Sequence, residues 1–219
     1  MELPELMDSR YSVRRFKPEP IARPIIEDIL TLAGRSASWC NTQPWQLHVT
    51  EGEATDRFRD ALWEHVTSGN PPAPDIPFPT QYQGAHYARR KTCALQLYRS
   101  LGIKEGDRQA SQMQTLENFK LFGAPHVVIV TCHESLGAYG ALDCGLFVNG
   151  FLLAATHHGI GSIAQAALAA YSDFIHQHFA IPDEQRVLCA ISFGHTDDAH
   201  PANQFRTERA PLDELVTWV

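Results

Sequence analysis

Two groups of arginines lie far apart in the sequence, and hydroxyl side chains are interleaved with both. The stretch RYSVRR over Arg10–Arg15 contains three arginines with Ser12, and the stretch NQFRTERAP contains Arg206, Thr207 and Arg209. A guanidinium group pairs bidentately with phosphate, while hydroxyls donate to the remaining oxygens. If RYSVR is extended, its alternate side chains point to one side. The pattern therefore indicates a phosphate site, although arginines that only face solvent would give the same composition.

Other nucleotide-binding and nucleophile motifs do not occur in the sequence. GIGSIAQ has glycines at 159 and 161, but the third glycine position of a dinucleotide fingerprint is Ala164, and the segment follows a predicted helix rather than a strand. Neither a P-loop nor a G-x-S-x-G elbow is found. The 11 histidines do not combine with Cys or carboxylates at metal-ligand spacing. We therefore predict no bound metal.

Composition and charge exclude several classes of partner. The chain has 25 Asp+Glu against 18 Lys+Arg, a net charge of −7, which argues against non-specific binding of nucleic acid. The N-terminal residues do not resemble a signal peptide, and the five cysteines are widely spaced, so we expect a cytoplasmic protein. The longest apolar run, Cys144–Ala155, is too short to span a bilayer and predicts a buried helix, with no membrane partner.

Helical and strand patterns alternate along the chain. Helices are predicted in ARPIIEDILTLAGR, TDRFRDALWEHVTSG, RKTCALQLYRSLG and GALDCGLFVNGFLLAATHHG, and strands in PWQLHVTEG, PHVVIVTCH and VLCAISFGH. No repeat or linker divides these elements, so we predict one domain, 1–219, of the α+β class with helices around a small sheet. The helix over 140–158 is apolar nearly all round, so the core or a second subunit must cover it.

Residues 69–90 contain five prolines and no periodicity. A loop of this length in a compact domain is usually functional or mobile, and we expect it to overhang the site and to influence the choice of substrate. Tyr82, Tyr87, Arg89 and Arg90 would suit a flat, anionic aromatic molecule. Alternatively, the two arginines begin the next helix and face water.

Five segments, in this order, carry a resemblance to a known family: RYSVRRF, SASWCNTQPW, NFKLFGAP, GIGSIAQAAL and NQFRTERAPLDE. Together they resemble the nitroreductase family of FMN-dependent oxidoreductases over nearly the whole chain. QYQGAHYARRK, LYRSLGI and FRTERAP are most similar to the nitrobenzoate-type nitroreductases. The resemblance implies a nitroreductase-like fold with a small, mainly antiparallel sheet flanked by helices, in an intertwined homodimer.

The resemblance also assigns a set of residues to FMN. The phosphate would be held by Arg10, Tyr11 through its backbone, Ser12 and Arg14, and closed in by Arg206, Thr207 and Arg209. Ala37, Ser38, Trp39 and Asn41 would reach the FMN of the partner subunit, Asn118 the pyrimidine end, and Ala164, Gln165 and Ala166 the flavin N5 edge. Trp39 departs from the small residues usual in the family, so it either shapes the substrate pocket or is a buried interface tryptophan. Arg15 alternates away from this set and is expected to face solvent.

The implied activity is transfer of hydride from NAD(P)H to flavin N5, and then to a nitroaromatic or similar small acceptor, with ping-pong kinetics. The flavin performs the chemistry, so no side chain is assigned as catalytic acid or base. Arg14 or Lys120 would place positive charge near flavin N1. Two alternatives remain: a flavin-binding or sensing protein with little turnover, and a family relative that acts by dehalogenation or enone reduction.

Overall fold

One four-stranded antiparallel sheet forms the centre of the protein. In the computed structural model, which describes residues 1–219, the strands are β1 (Trp45–Thr50), β2 (His126–His133), β3 (Gly161–Gln165) and β4 (Gln185–Gly194). Their order is β1-β2-β4-β3, and every neighbouring pair is antiparallel. The predicted α+β class and antiparallel sheet are confirmed. No strand was predicted in GIGSIAQ, but its last five residues form the edge strand β3.

Seven helices surround the sheet. They are α1 (Leu3–Ser9), α2 (Arg23–Ala33), α3 (Glu53–Thr67), α4 (Gly84–Ser100), α5 (Arg108–Leu116), α6 (Gly137–His157) and α7 (Ser172–Phe179). The predicted helices correspond to α2, α3, α4 and α6, whereas α1, α5 and α7 are short and were not predicted. α4 begins at Gly84 rather than near residue 90, because the prolines end at Pro79 and nothing after it opposes a helix.

The two faces of the sheet pack against different helical layers. Along β2, Val127 and Ile129 point into one core, and Val128 and Val130 point into the other, as the alternation of a strand requires. The first core is completed by α3, α7 and the turns at 117–123 and 166–171. The second is completed by α2 and α6. The segment that carries the first arginine group runs along the edge strand β3.

Helix α6 is buried on one side only. Phe147 and Phe151 are fully buried against the sheet, while Tyr139, Leu142 and Leu146 on its outer side are 60%, 62% and 46% exposed. With the turn before it, Glu134–His157 is long and apolar enough to cross a membrane by length and composition, with 39% of its 18-residue window buried inside the fold. The run Cys144–Ala155 is only part of this longer helix, and the core helix of a globular protein has the same length and composition. The expected burial holds for the inner side.

Candidate functional site

The segment after α1 runs as an extended chain along the free edge of β3. Ser12 forms an isolated parallel bridge with Ser162, and the Val13 N–H donates to the Ser162 carbonyl at 3.1 Å. Val13 and Phe16 insert their side chains into the core at 1% and 4% exposure. Because Val13 points inward, its neighbours Ser12 and Arg14 project to the opposite side. An extended RYSVR was only a condition of the sequence prediction, and the bridge at Ser12 meets that condition.

A buried asparagine ties this segment to the C-terminal part of the chain. Asn203 is 3% exposed. Its Oδ1 accepts from the Arg14 N–H at 2.7 Å, and its Nδ2 donates to the carbonyls of Arg15 and Asp197, each at 2.9 Å. These three bonds satisfy a buried amide that would otherwise destabilise the fold. Sequence reasoning missed this role, although Asn203 is the first residue of NQFRTERAP.

The two arginine groups meet in one cavity of about 310 Å³. Its walls include all seven residues assigned to the phosphate, namely Arg10, Tyr11, Ser12, Arg14, Arg206, Thr207 and Arg209. The remaining wall residues are Met7, Asp8, Cys93 and Phe205. Arg15 does not line the cavity, and its side chain is exposed, as expected. The structure therefore brings together residues that are almost 200 positions apart in the sequence.

The charge in this cavity has no anionic partner within the chain. None of the four arginines forms a salt bridge, and Asp8 is the only carboxylate in the wall. Burial, together with the positive charge of Arg209, lowers the pKa of Arg10, and burial likewise lowers the pKa of Arg14. Converging cations whose charged forms are disfavoured in this way fit a bound dianion such as phosphate.

Aromatic rings hold two of these guanidinium groups in place. Arg206 lies 3.4 Å from the centroid of the Tyr11 ring, and Arg14 lies 5.3 Å from that of Phe205. Arg209 donates to the Thr207 hydroxyl at 2.9 Å, so it is oriented by its own segment. These contacts fix the direction of the charges. Arg14, Arg206 and Arg209 each donate from Nη1 to backbone carbonyls, so the other guanidinium nitrogens are the donors left for a ligand.

The stretch Ala164–Ala166 lies two residues beyond Ser162, which pairs with Ser12 of the cavity wall. Ala164 and Ala166 are exposed, whereas Gln165 between them is 2% exposed. The Gln165 amide donates to the Asn118 carbonyl at 3.0 Å and to Asn118 Oδ1 at 3.2 Å, and its Oε1 accepts from the Ser192 hydroxyl. Asn118 therefore lies next to this stretch and anchors its buried side chain. The arrangement leaves the backbone at the two alanines accessible to a flat ring.

Residues 37–41 lie away from this cavity within one chain. None of Ala37, Ser38, Trp39 and Asn41 lines it. Instead, the Trp39 N–H donates to the buried carboxylate of Asp143 at 3.0 Å, and the Trp39 ring lies 4.7 Å from that of Tyr139 on α6. Trp39 is 61% exposed, so it is not a buried tryptophan within the single chain. The segment belongs to the apolar outer side of α6.

Lys120 and Arg89 are engaged in contacts within the chain. The Lys120 ammonium donates to Glu117 at 2.7 Å and lies 4.5 Å from the Trp63 ring centroid. Arg89 pairs with Glu214 at 2.7 Å. Both Arg89 and Arg90 lie within α4, as the alternative interpretation of that segment expected, and the Arg90 guanidinium lies 5.1 Å from the Tyr82 ring centroid.

The proline-rich loop over 68–83 crosses the molecule beside the 166–171 turn. Its Ala73 N–H donates to the Ala170 carbonyl at 2.8 Å. Residues 76–79 then cover a cavity of about 320 Å³. Its walls also include Ala169, Cys144 and Cys189. The loop is thus shorter than the predicted 69–90, and it is attached a few residues beyond the Ala164–Ala166 edge.

Comparison with known proteins identifies the family. The sequence profile of the Nitroreductase family matches residues 7–195. The chain is 34% identical to nitroreductase NfnB of Mycolicibacterium smegmatis over 216 residues, which is 97% of this chain and 91% of that protein. It is 30% identical to the 4-nitrobenzoate reductase of Pseudomonas putida over 202 residues, covering 92% of this chain and 88% of the relative.

A solved structure agrees with the sequence comparison. The crystal structure of the FMN-dependent nitroreductase NfnB from Mycobacterium smegmatis in complex with NADPH superposes with a TM-score of 0.93 at 32% identity, covering 99% of this chain and 97% of that one. The chain belongs to the nitroreductase family, and the nitroreductase-like fold predicted for it is confirmed.

Proposed function

We propose that the protein is an FMN-containing oxidoreductase that uses NAD(P)H to reduce a nitroaromatic or similar small acceptor by a ping-pong mechanism. One observation carries the proposal. Four arginines without salt-bridge partners and two hydroxyl residues converge in a 310 Å³ cavity, and one of those residues, Ser12, pairs with Ser162 of β3. The NfnB proteins of M. smegmatis and of sphigopyxis sp. strain HMH, both described as FMN-dependent, have the same fold at TM-scores of 0.93 and 0.95.

The residues fit FMN in two places. Arg10, Ser12 and Arg14 on the N-terminal side, with Arg206, Thr207 and Arg209 on the C-terminal side, would bind the phosphate. The backbone of Ala164–Ala166 would support the isoalloxazine edge, and Asn118 would hold that stretch through Gln165. Bound FMN would supply the redox chemistry by accepting hydride from NAD(P)H and passing reducing equivalents to the acceptor. Arg14, which is partly buried, would offset negative charge on the reduced ring.

We also propose a homodimer. The outer side of α6 exposes Tyr139, Leu142 and Leu146 next to Trp39, a larger apolar surface than isolated exposed residues would form. Residues 37–41 belong to this surface and do not reach the cationic cavity of their own chain, so a second copy would bring them to it. Trp39 would then lie where an acceptor could meet it. The five free cysteines favour a reducing compartment, which supports the cytoplasm.

The decisive measurement is FMN affinity in arginine variants. Arg10→Ala or Arg209→Ala removes one charge-assisted contact, worth roughly 2–4 kcal/mol. FMN should then bind roughly 30- to 1,000-fold more weakly in a fluorescence titration. Arg15→Ala is the matched control, because its exposed side chain lies outside the cavity. Unchanged FMN affinity in the Arg10 variant, or an equal loss in the Arg15 variant, would refute the phosphate site.

Turnover separates the enzyme from a flavin-binding protein with little activity. The purified protein with FMN should oxidise NAD(P)H continuously when a nitroaromatic is present, and a binding or sensing protein would be yellow but inert. An acceptor series that also contains halogenated phenols and enones would distinguish nitro reduction from dehalogenation and enone reduction, which a shared fold does not settle.

A further inference from the structure

The 68–83 loop is fixed to the body of the protein at one polar point. The Asp75 carboxylate accepts from the Val187 N–H at 2.7 Å and from the His176 Nε2–H at 2.9 Å. The Asp75 N–H donates to the Ser172 hydroxyl at 3.2 Å. The Asp75 and His176 side chains are each only 12% exposed. A largely buried carboxylate therefore joins a long loop to both α7 and β4.

The geometry of His176 requires two ring protons. Its Nε2 faces the Asp75 carboxylate, and its Nδ1 faces the Ile181 carbonyl at 3.0 Å. Both partners only accept hydrogen bonds, so a neutral ring, which carries one N–H, would leave a lone pair directed at an oxygen. Only the imidazolium form satisfies both contacts.

The surrounding charges agree with this state. Asp183, in the turn after α7, adds negative charge near the ring, and Arg186 of β4 lies 3.8 Å from the second Asp75 oxygen while also pairing with Glu134. Burial alone would disfavour the charged ring, but its hydrogen bonds to Asp75 and Ile181 outweigh burial, so the pKa of His176 is raised.

The remainder of the loop depends on this point of attachment. Beyond Asp75, residues 76–82 form no backbone hydrogen bond with another part of the chain, and Ile76 and Phe78 are 44% and 41% exposed. Yet residues 76–79 form one wall of the 320 Å³ cavity that also contains Ala169. The position of that wall therefore follows from where Asp75 is held.

We infer that Asp75 and His176 form a protonation-dependent latch that holds the 68–83 loop closed over the cavity next to the 166–171 turn. The latch is closed while His176 is an imidazolium and loosens when the ring loses its second proton. As the ring is held in its charged form, the stabilisation is complete below the ordinary histidine pKa, about 6.5, and is lost as the pH rises through the higher value in the folded protein.

The test is amide hydrogen exchange of the protein with FMN bound, combined with NMR titration of His176. The protection of the Ala73 amide, which donates to Ala170 from within the loop, should fall about tenfold, about 1.4 kcal/mol, as the pH passes through the measured His176 pKa. The amide of Val130, in the centre of the sheet, serves as the internal reference for the ordinary effect of pH on exchange.

Three variants decide the outcome. His176→Gln should abolish the pH-dependent step, and Asp75→Asn should lower the His176 pKa and move the step with it. His178→Gln, on the same helix but exposed, should leave the step unchanged. Persistence of the step in His176→Gln, or its absence from the parent protein while His176 titrates, would overturn the latch. The readout does not depend on turnover, so its failure is distinguishable from failure of the proposed oxidoreductase activity.

Discussion

The two helical layers on the sheet have similar interiors and different exteriors. Phe58 on α3 and Phe151 on α6 are both fully buried, each in its own core. On the outside, however, α3 carries exposed charges at Glu53, Asp56, Arg57, Asp60 and Glu64, whereas α6 exposes Tyr139, Leu142 and Leu146. Water solvates a charged exterior, whereas a contiguous apolar exterior is typical of a surface that contacts another protein. The difference is what the proposed homodimer requires, with the α3 side facing water and the outer side of α6 facing the partner.

The largest expected effect tests whether the interiors are equivalent. Phe58→Ala and Phe151→Ala should each lower the free energy of unfolding by about 3–5 kcal/mol, because each leaves a cavity in a closely packed core. Urea denaturation at saturating FMN measures both. A cost below about 2 kcal/mol for one of them would show that its layer collapses onto the cavity, and the two interiors would not be alike.

The second expected effect concerns the exteriors. Leu142→Glu places a carboxylate on the outer side of α6 and should raise the dimer dissociation constant by about a hundredfold or more, since a buried unpaired charge is strongly unfavourable. Arg57→Glu adds a carboxylate to the exposed side of α3 and should not affect association. Sedimentation equilibrium measures both variants. An unchanged mass for Leu142→Glu would show that α6 is not the contact between subunits.

The smallest expected effect is the pH dependence of stability that His126, on the α6 side of the sheet, should cause. His126, in the α6-side core, accepts the Ile21 N–H on Nε2 at 2.9 Å, and its Nδ1 lies 3.3 Å from the Thr50 carbonyl. Burial lowers its pKa, so the fold holds the neutral ring. Stability should therefore decrease as the pH falls below about 6.5, where the unfolded chain takes up the proton.

Urea denaturation between pH 7.5 and 5 measures this loss, and His126→Gln should make the profile less steep over that range. The remaining slope is expected from His48 and His178, whose pKa values burial also lowers. His176 does not interfere, because its contribution is complete at acid pH and declines only on the alkaline side. If the parent protein and His126→Gln lost stability in parallel, another group would be responsible for the acid limb.

The features that the sequence predicted correctly are those that depend on residues close together in the chain. The β-branched run in PHVVIVTCH predicted β2, and the arginine–hydroxyl stretches predicted the cationic cavity, whose parts the resemblance then assigned. The Asn203 contacts join positions 189 apart, and the Asp75–His176 pair joins positions 101 apart. Neither pairing can be recognised from the residues that surround either partner in the sequence. The apolar character of α6 likewise showed that it needs cover but not on which side, because the all-round pattern has no preferred face.

The assignments at 37–41 and at the flavin edge remain predictions for the same reason. They came from resemblance to a family rather than from a physical pattern in the chain, and the first of them needs a second copy to be complete. The departure at Trp39 is the clearest case. Its exposed ring is fixed by Asp143 and Tyr139, yet composition alone could not have paired those residues.

The Asn203 contacts also have a consequence for biosynthesis. On the ribosome the chain emerges from its N-terminus, so the RYSVR segment is present long before Asn203 can accept the Arg14 N–H. Until then, the segment has its contacts with Ser162 but lacks those with Asn203, and the arginines from the two ends have not met. Because closing so long a loop is entropically unfavourable until its contacts form, the proposed phosphate pocket should be among the last regions to assemble. Loading of the cofactor is then a late, post-translational event, and nascent chains that stop short of residue 203 should not retain it.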